Sequence, residues 1–204
     1  MGVSLKGKRL GLGLLLSLMM VLISGCSTMK PEDFEGKGPE LVLEDYFAGK
    51  TYAWGLFQDR FGKVRRQFRV VVDGQWQEQD QILKLDEHFL YDDGERDRRV
   101  WTIKKPAPHT YVGTAGDVIG EAKGHTAGNA LNWEYQMNLA VGDGHWKVHF
   151  NDWMWLQPGG ALINRATVTK WGVTLGTVSI FFSKDPGSPP MDGWMHISGG
   201  ENGP

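Results

Sequence analysis

Turn dipeptides set between short alternating runs, nine tryptophans, and twenty-eight glycines in a chain with few helical stretches predict an all-β protein. The expected form is an antiparallel up-and-down barrel of about nine to eleven strands with one short N-terminal helix. A meander leaves its first and last strands as edges, which invite aggregation unless they meet. Closure into a lipocalin-like barrel is therefore expected ahead of a two-sheet sandwich.

Residues 1–25 read as a signal peptide: Lys6, Lys8 and Arg9 precede the apolar run "LGLGLLLSLMMVLI", which gives way to Ser24-Gly25 too soon for a permanent span. Ile23-Ser24-Gly25-Cys26 resembles the bacterial lipobox, whose cysteine is acylated and becomes the new N-terminus. Cys26 is the one cysteine of the chain, so lipidation there leaves no thiol for a disulfide. Two or three acyl chains, at about 0.8 kcal/mol per buried methylene, hold a protein on a bilayer where one does not. Ser27 stands where inner-membrane retention in enterobacterial lipoproteins favours Asp. That likeness points to the periplasmic face of the outer membrane, with the lipid anchor as the membrane partner.

Residues 26–38 read as the lipidated N-terminus and a polar linker. In "PELVLEDYFAG", Pro39 suits a first helical turn and Gly49 a stop, so a short helix is expected there. From Lys50 to Lys184 strands alternate with turns, marked by Asp73-Gly74, Asp93-Gly94, Asp143-Gly144, "QPGG" at 157–160 and "KWG" at 170–172. The barrel domain is thus placed at 39–184, and 185–204, including Trp194, as a flexible tail.

The chain carries a formal charge of −2 and its leader three positive charges, which leaves residues 26–204 near −5. That balance argues against a nucleic-acid partner and against docking on anionic head groups by overall charge.

Four segments, "FLYDDGERDRRVW", "AGDVIGEAKGHTAGNALNWEYQM", "FNDWMWL" and "NRATVTKWGVTLGTVSIFF", resemble the proteobacterial lipoprotein family described as domain of unknown function 3833, over most of residues 41–184. The resemblance implies a lipid-anchored envelope protein with a calycin-type barrel, often encoded beside cyclopropane-fatty-acid synthase-like enzymes. Trp54-Gly55 in the first strand resembles the lipocalin first-strand tryptophan, although the last strand lacks the arginine that usually covers that ring.

Strand alternation sorts "LNWEYQMNLAV" cleanly: Leu131, Trp133, Tyr135, Met137, Leu139 and Val141 share one face. On the next strand Trp146, Val148, Phe150, Asp152, Met154 and Leu156 form an apolar face interrupted by one acid. Turns at 143–144 and 158–159 place Tyr135, Asp152 and Arg165 in a row across three strands on the interior face. A one-residue slip would separate Asp152 from Arg165. The row reads either as a structural ion pair closed by a tyrosine hydroxyl or as a polar floor that holds a ligand carboxylate or phosphate through Arg165. Trp133, Trp146, Phe150 and Met154 complete the candidate ligand site. A third reading makes Tyr135 an acid and Asp152 a base in catalysis on a lipid-like substrate.

"YDDGERDRR" reads as a solvated hairpin tip, or as part of a cavity mouth if Arg98 or Arg99 points inward near Trp101. His145 and His149 lack a third clustered ligand, so no metal is expected. "AGKT" at 48–51 has no upstream glycine for a phosphate cradle. No cofactor is expected. The leading functional expectation is a tethered barrel that accepts a fatty acyl chain or similar lipid; the alternatives are a filled barrel acting through its surface and an isomerase or hydrolase.

Overall fold

The edge groups of a meander are satisfied when its ends meet, and in a computed structural model, which describes residues 29–142 and 144–187, they do meet. The strands are β1 (Gly49–Asp59), β2 (Val64–Gln77), β3 (Ile82–Tyr91), β4 (Arg96–Ala107) and β5 (Thr110–Thr114). They continue as β6 (Val118–Ala127), β7 (Ala130–Val141), β8 (Gly144–Leu156), β9 (Leu162–Lys170) and β10 (Val173–Ser183). Each pairs antiparallel with its sequence neighbour, and β1 pairs with β10, Tyr52 opposite Ser183, closing a ten-stranded up-and-down barrel. This is the lipocalin-like architecture the turn spacing predicts. Cys26, the expected signal peptide at 1–25 and Trp194 lie outside the described residues.

The helix is shorter than its sequence suggests. Among the described residues only α1 (Leu43–Phe47) is α-helical, preceded by a 3-10 turn at Pro31–Phe34 inside the expected linker. Helix α1 crosses one end of the barrel and closes it: Leu43 and Phe47 are buried in the core. The Tyr46 hydroxyl donates to the Gly160 carbonyl at 3.1 Å, and the Tyr111 hydroxyl to Glu44 Oε2 at 2.9 Å. Lys105 of β4 forms an ion pair with Glu44.

One turn assignment fails for an instructive reason. Asp73-Gly74 lies within β2 rather than at a turn. A Cβ on Gly74 would sit 1.8 Å from the Phe47 carbonyl oxygen, so the glycine admits the backbone of α1. The 3-10 turn also docks at this end, with Phe34 against Trp153 at 5.8 Å between ring centroids and the Leu41 amide donating to the Gly128 carbonyl at 2.8 Å. Trp54 faces outward with Tyr52 and Val71 and packs near Phe181. It therefore does not occupy the interior position of the lipocalin tryptophan.

Candidate functional site: an apolar cavity with an acidic patch

Alternation along ten strands sends one residue in two inward, and a barrel of this size leaves room that side chains do not fill. The interior holds a cavity of about 870 Å³, within the roughly 300–1,000 Å³ typical of small-molecule sites. Its wall is mostly aliphatic and aromatic, with Phe68, Phe89, Trp133, Phe150, Met154 and Ile180 among the lining. A filled barrel is therefore not what this sequence builds. Leu43 and Phe47 of α1 floor the closed end, and Phe57, Asp59, Arg65, Arg66, Tyr91 and Val141 line the opposite, open end.

The rim of the open end exposes two large aromatics, Phe61 at 80% and Trp171 at 91%. Trp171 sits in the β9–β10 turn with φ at 51°, a left-handed conformation unusual for a bulky residue. Arg60 lies over the Phe61 ring at 4.8 Å, and Lys170 lies 4.6 Å from the Trp171 centroid and 3.8 Å from that of Trp146. The two turns are neighbours, since the Arg60 amide donates to the Leu175 carbonyl at 2.8 Å.

Deeper inside, the expected row forms only in part. Val141 pairs with Gly144, so the β7–β8 turn starts at Gly142 and the register moves by two residues: Tyr135 faces Phe150, and Trp133 faces Asp152. A shift of two preserves the face, and Tyr135 and Asp152 both stay inside. The β8–β9 connection breaks the row. Gln157 donates its amide to Ala161, the loop has an odd count with Gly159 and Gly160 at φ 89° and 87°, and Asp152 pairs with Ala166. Arg165 consequently faces outward opposite Trp153, and Asn164 takes the buried inner position. Arg165 is not part of the cavity.

The guanidinium that does approach Asp152 belongs to Arg99. It donates to Asp117 Oδ2 from Nε at 3.0 Å and from Nη2 at 2.6 Å. Glu87, opposite Arg99 in the β3–β4 ladder, also lines the cavity. Glu87, Arg99, Asp117, Tyr135 and Asp152 thus form one electrostatic group of three carboxyls, one guanidinium and one phenol. Burial pushes the Asp152 carboxyl up to about 8; Arg99 opposes this, Glu87 adds to it, and a hydrogen bond from Tyr135 opposes it. Burial likewise raises Glu87 to about 7, with Arg99 opposing and Asp117 reinforcing. Tyr135 is driven well above the usual phenol range by burial and by Asp152. Burial works against the Arg99 charge, yet Glu87, Tyr135 and Asp117 hold it above the ordinary arginine range. Near neutral pH the two cavity-facing acids carry protons for much of the time.

Aromatic rings enclose this group. Trp101 meets Trp133 and Tyr135 edge-on at 5.7 and 5.5 Å, and Tyr135 stacks on Phe150 at 5.0 Å. Of the residues singled out by sequence, Tyr135, Asp152, Trp133, Phe150, Met154 and Trp146 all line the cavity, Trp146 at its mouth. Glu87 and Asp117 were missed. Arg99 shares a face with Trp101 by strand parity, which is the signal that identifies it, once its hairpin is treated as a strand rather than a tip. Among the described residues no group of three or more His, Cys, Asp or Glu is placed to hold a metal ion.

A comparison with curated proteins gave no match. The sequence profile of one family does match, over residues 20–184, which span the whole barrel. The chain belongs to that family, described as protein of unknown function DUF3833.

Proposed function

We propose that this protein is a lipoprotein that binds a hydrophobic small molecule, an acyl chain or other lipid, inside its barrel while held at the outer membrane through Cys26. The observation that carries the reading is the cavity of about 870 Å³ with an apolar wall and one open end. Burying a hydrocarbon tail there yields about 25 cal/mol for each Å² removed from water.

The rim supports exchange with a bilayer. Trp and Phe side chains favour the membrane interface, and Arg60, Lys63 and Lys170 beside Phe61 and Trp171 offer anionic head groups about 1 kcal/mol each near a surface. Attraction at a surface depends on the charges within about 10 Å of it rather than on the overall negative charge, and of the acids at this end Asp93 and Glu95 are paired with Arg66.

The test uses the Cys26→Ser chain and the neutral apolar dye N-phenyl-1-naphthylamine. Saturable fluorescence enhancement is expected, displaced by dodecanol and lost in Ala166→Phe, which places a ring in the cavity from a buried lining position. Absence of binding by the unsubstituted barrel would overturn the reading. The anchor is tested separately: Cys26→Ser should move the protein from the membrane fraction to the soluble one.

A further inference from the structure

We infer that the acidic patch on the cavity wall selects an amphiphile by a cationic head group that donates hydrogen bonds, an amine in chemical class, with its tail in the apolar barrel. This inference rests on the ligand-binding reading above and adds the identity of the head group.

The first observation is a census of ion pairs. Among the described residues that line the cavity, the basic side chains are Arg65, Arg66 and Arg99. Arg65 is paired with Asp59 at 2.6 Å, Arg66 with Glu95 and with Asp93 at 3.4 Å, and Arg99 with Asp117 at 2.6 Å. Each cation is already engaged by a carboxylate of the protein. The lining acids outside these ion pairs are Glu87 and Asp152.

The second observation is independent of the first. Asp152 is 7% exposed, and its Oδ1 is buried with no hydrogen-bond partner in the protein. A buried carboxyl oxygen left without a donor costs about 1–3 kcal/mol, and a ligand that brings an N–H removes that cost. The rings of Trp101, Trp133, Tyr135 and Phe150 around it present π-faces that attract cations.

Once these acids are ionised, a fatty-acid carboxylate meets the opposite conditions beside them: two negative charges, no disengaged guanidinium, and an acceptor facing an acceptor. The groups that act on Asp152 and Glu87, besides each other, are Arg99 and the Trp101 N–H from β4, Asp117 from the β5–β6 turn, Tyr135 from β7 and Asp86 from β3. Of these only Arg99 repels an ammonium, and Asp117 neutralises most of that repulsion. An ammonium beside these acids favours their ionised form, so binding an amine displaces protons and tightens as pH rises from 6 to 8. Lys170 at the mouth offers the reverse seating, tail inward and an anionic head outside, in which Asp152 has no say in head-group preference.

The experiment compares dodecylamine, dodecanol and dodecanoic acid, equal in chain length, by displacement of the same dye from the full Cys26→Ser chain at pH 6 and pH 8. At pH 8 the amine is expected to bind about tenfold tighter than the acid, a difference of one charged hydrogen-bonded contact. In Asp152→Asn that preference should shrink to about twofold, with dodecanol still displacing the dye as a report that the fold is intact. Should Asp152→Asn not fold, Glu87→Gln serves, with a smaller loss of the same sign. Equal or tighter binding of dodecanoic acid, or an amine preference untouched by both substitutions, overturns the inference and leaves the carrier reading standing. Failure of all three ligands, dodecanol included, overturns both.

Discussion

Arg99 Nη2 lies 2.6 Å from Asp117 Oδ2, and this contact spans a place where the barrel wall is thin. Strand β5 has only five residues and pairs with β4 from Thr102 to Ala107, so Arg96–Trp101 of β4 have no β5 partner. The ion pair ties that stretch to the turn that precedes β6.

Breaking it has two readouts. Asp117→Asn is expected to cost about 1–2 kcal/mol, a modest figure because both side chains are a quarter to a third exposed and water screens them. It also frees Arg99 for Glu87 and removes a negative neighbour, so Glu87 should titrate below its present value of about 7. Carboxyl carbon NMR across pH 4–9 measures this; an unmoved Glu87 would show that the two acids do not communicate.

Stability should fall as pH rises. The Asp152 and Glu87 carboxyls titrate at about 8 and about 7 when folded, above their unfolded values near 4. Between these limits the folded chain binds more protons than the unfolded one, so stability is full below about pH 4 on this account and is lost progressively up to about pH 8. Each unit of displacement is worth about 1.4 kcal/mol. Urea unfolding at pH 5, 7 and 9 should show this slope, and Asp152→Asn should flatten it and raise stability at pH 9. An equal slope in the variant would assign the effect elsewhere.

The Trp133 ring depends on two glycines. A Cβ on Gly113 would lie 2.6 Å from the ring and one on Gly124 2.3 Å, so neither position admits a methyl while the indole stays flat against the wall. Gly124→Ala is expected to push Trp133 into the cavity at a cost of about 1–3 kcal/mol. Dye capacity should drop with it, and tryptophan emission should shift.

Trp171→Asn separates adhesion from folding. Asparagine tolerates the left-handed φ of 51° better than tryptophan does, so the melting temperature should hold or rise. Sedimentation with vesicles containing phosphatidylglycerol should weaken, and Phe61→Ser should act in the same direction. Unchanged sedimentation in both would remove the rim from membrane contact.

Much of this architecture was legible because strand parity and turn chemistry are local. The inward row of Trp133, Tyr135 and Met137 follows from alternation alone, and an error of two in the β7–β8 register leaves it intact. Arg165 shows the limit. Whether a loop with Pro158, Gly159 and Gly160 spends an odd or even number of residues decides which face the next strand presents, and short-range propensity does not fix that parity. Gly74 shows a second limit, since the glycine answers to an α1 carbonyl twenty-seven positions earlier in the chain rather than to a turn. The partnership of Arg99 with Asp117 arises from the brevity of β5, a property of the closed sheet and not of either segment.

The docking of Phe34 and Leu41 beside Trp153 and Gly128 gives the molecule a polarity along its axis. On the proposed anchor, only residues 27–30 separate Cys26 from the docked base, a slack of about 13 Å, whereas the mouth lies roughly 30 Å away at the far pole. A vessel fastened by its foot cannot drink from the floor it stands on unless it topples. Upright, it faces whatever lies across the aqueous gap, so on that anchor a guest would enter from that side.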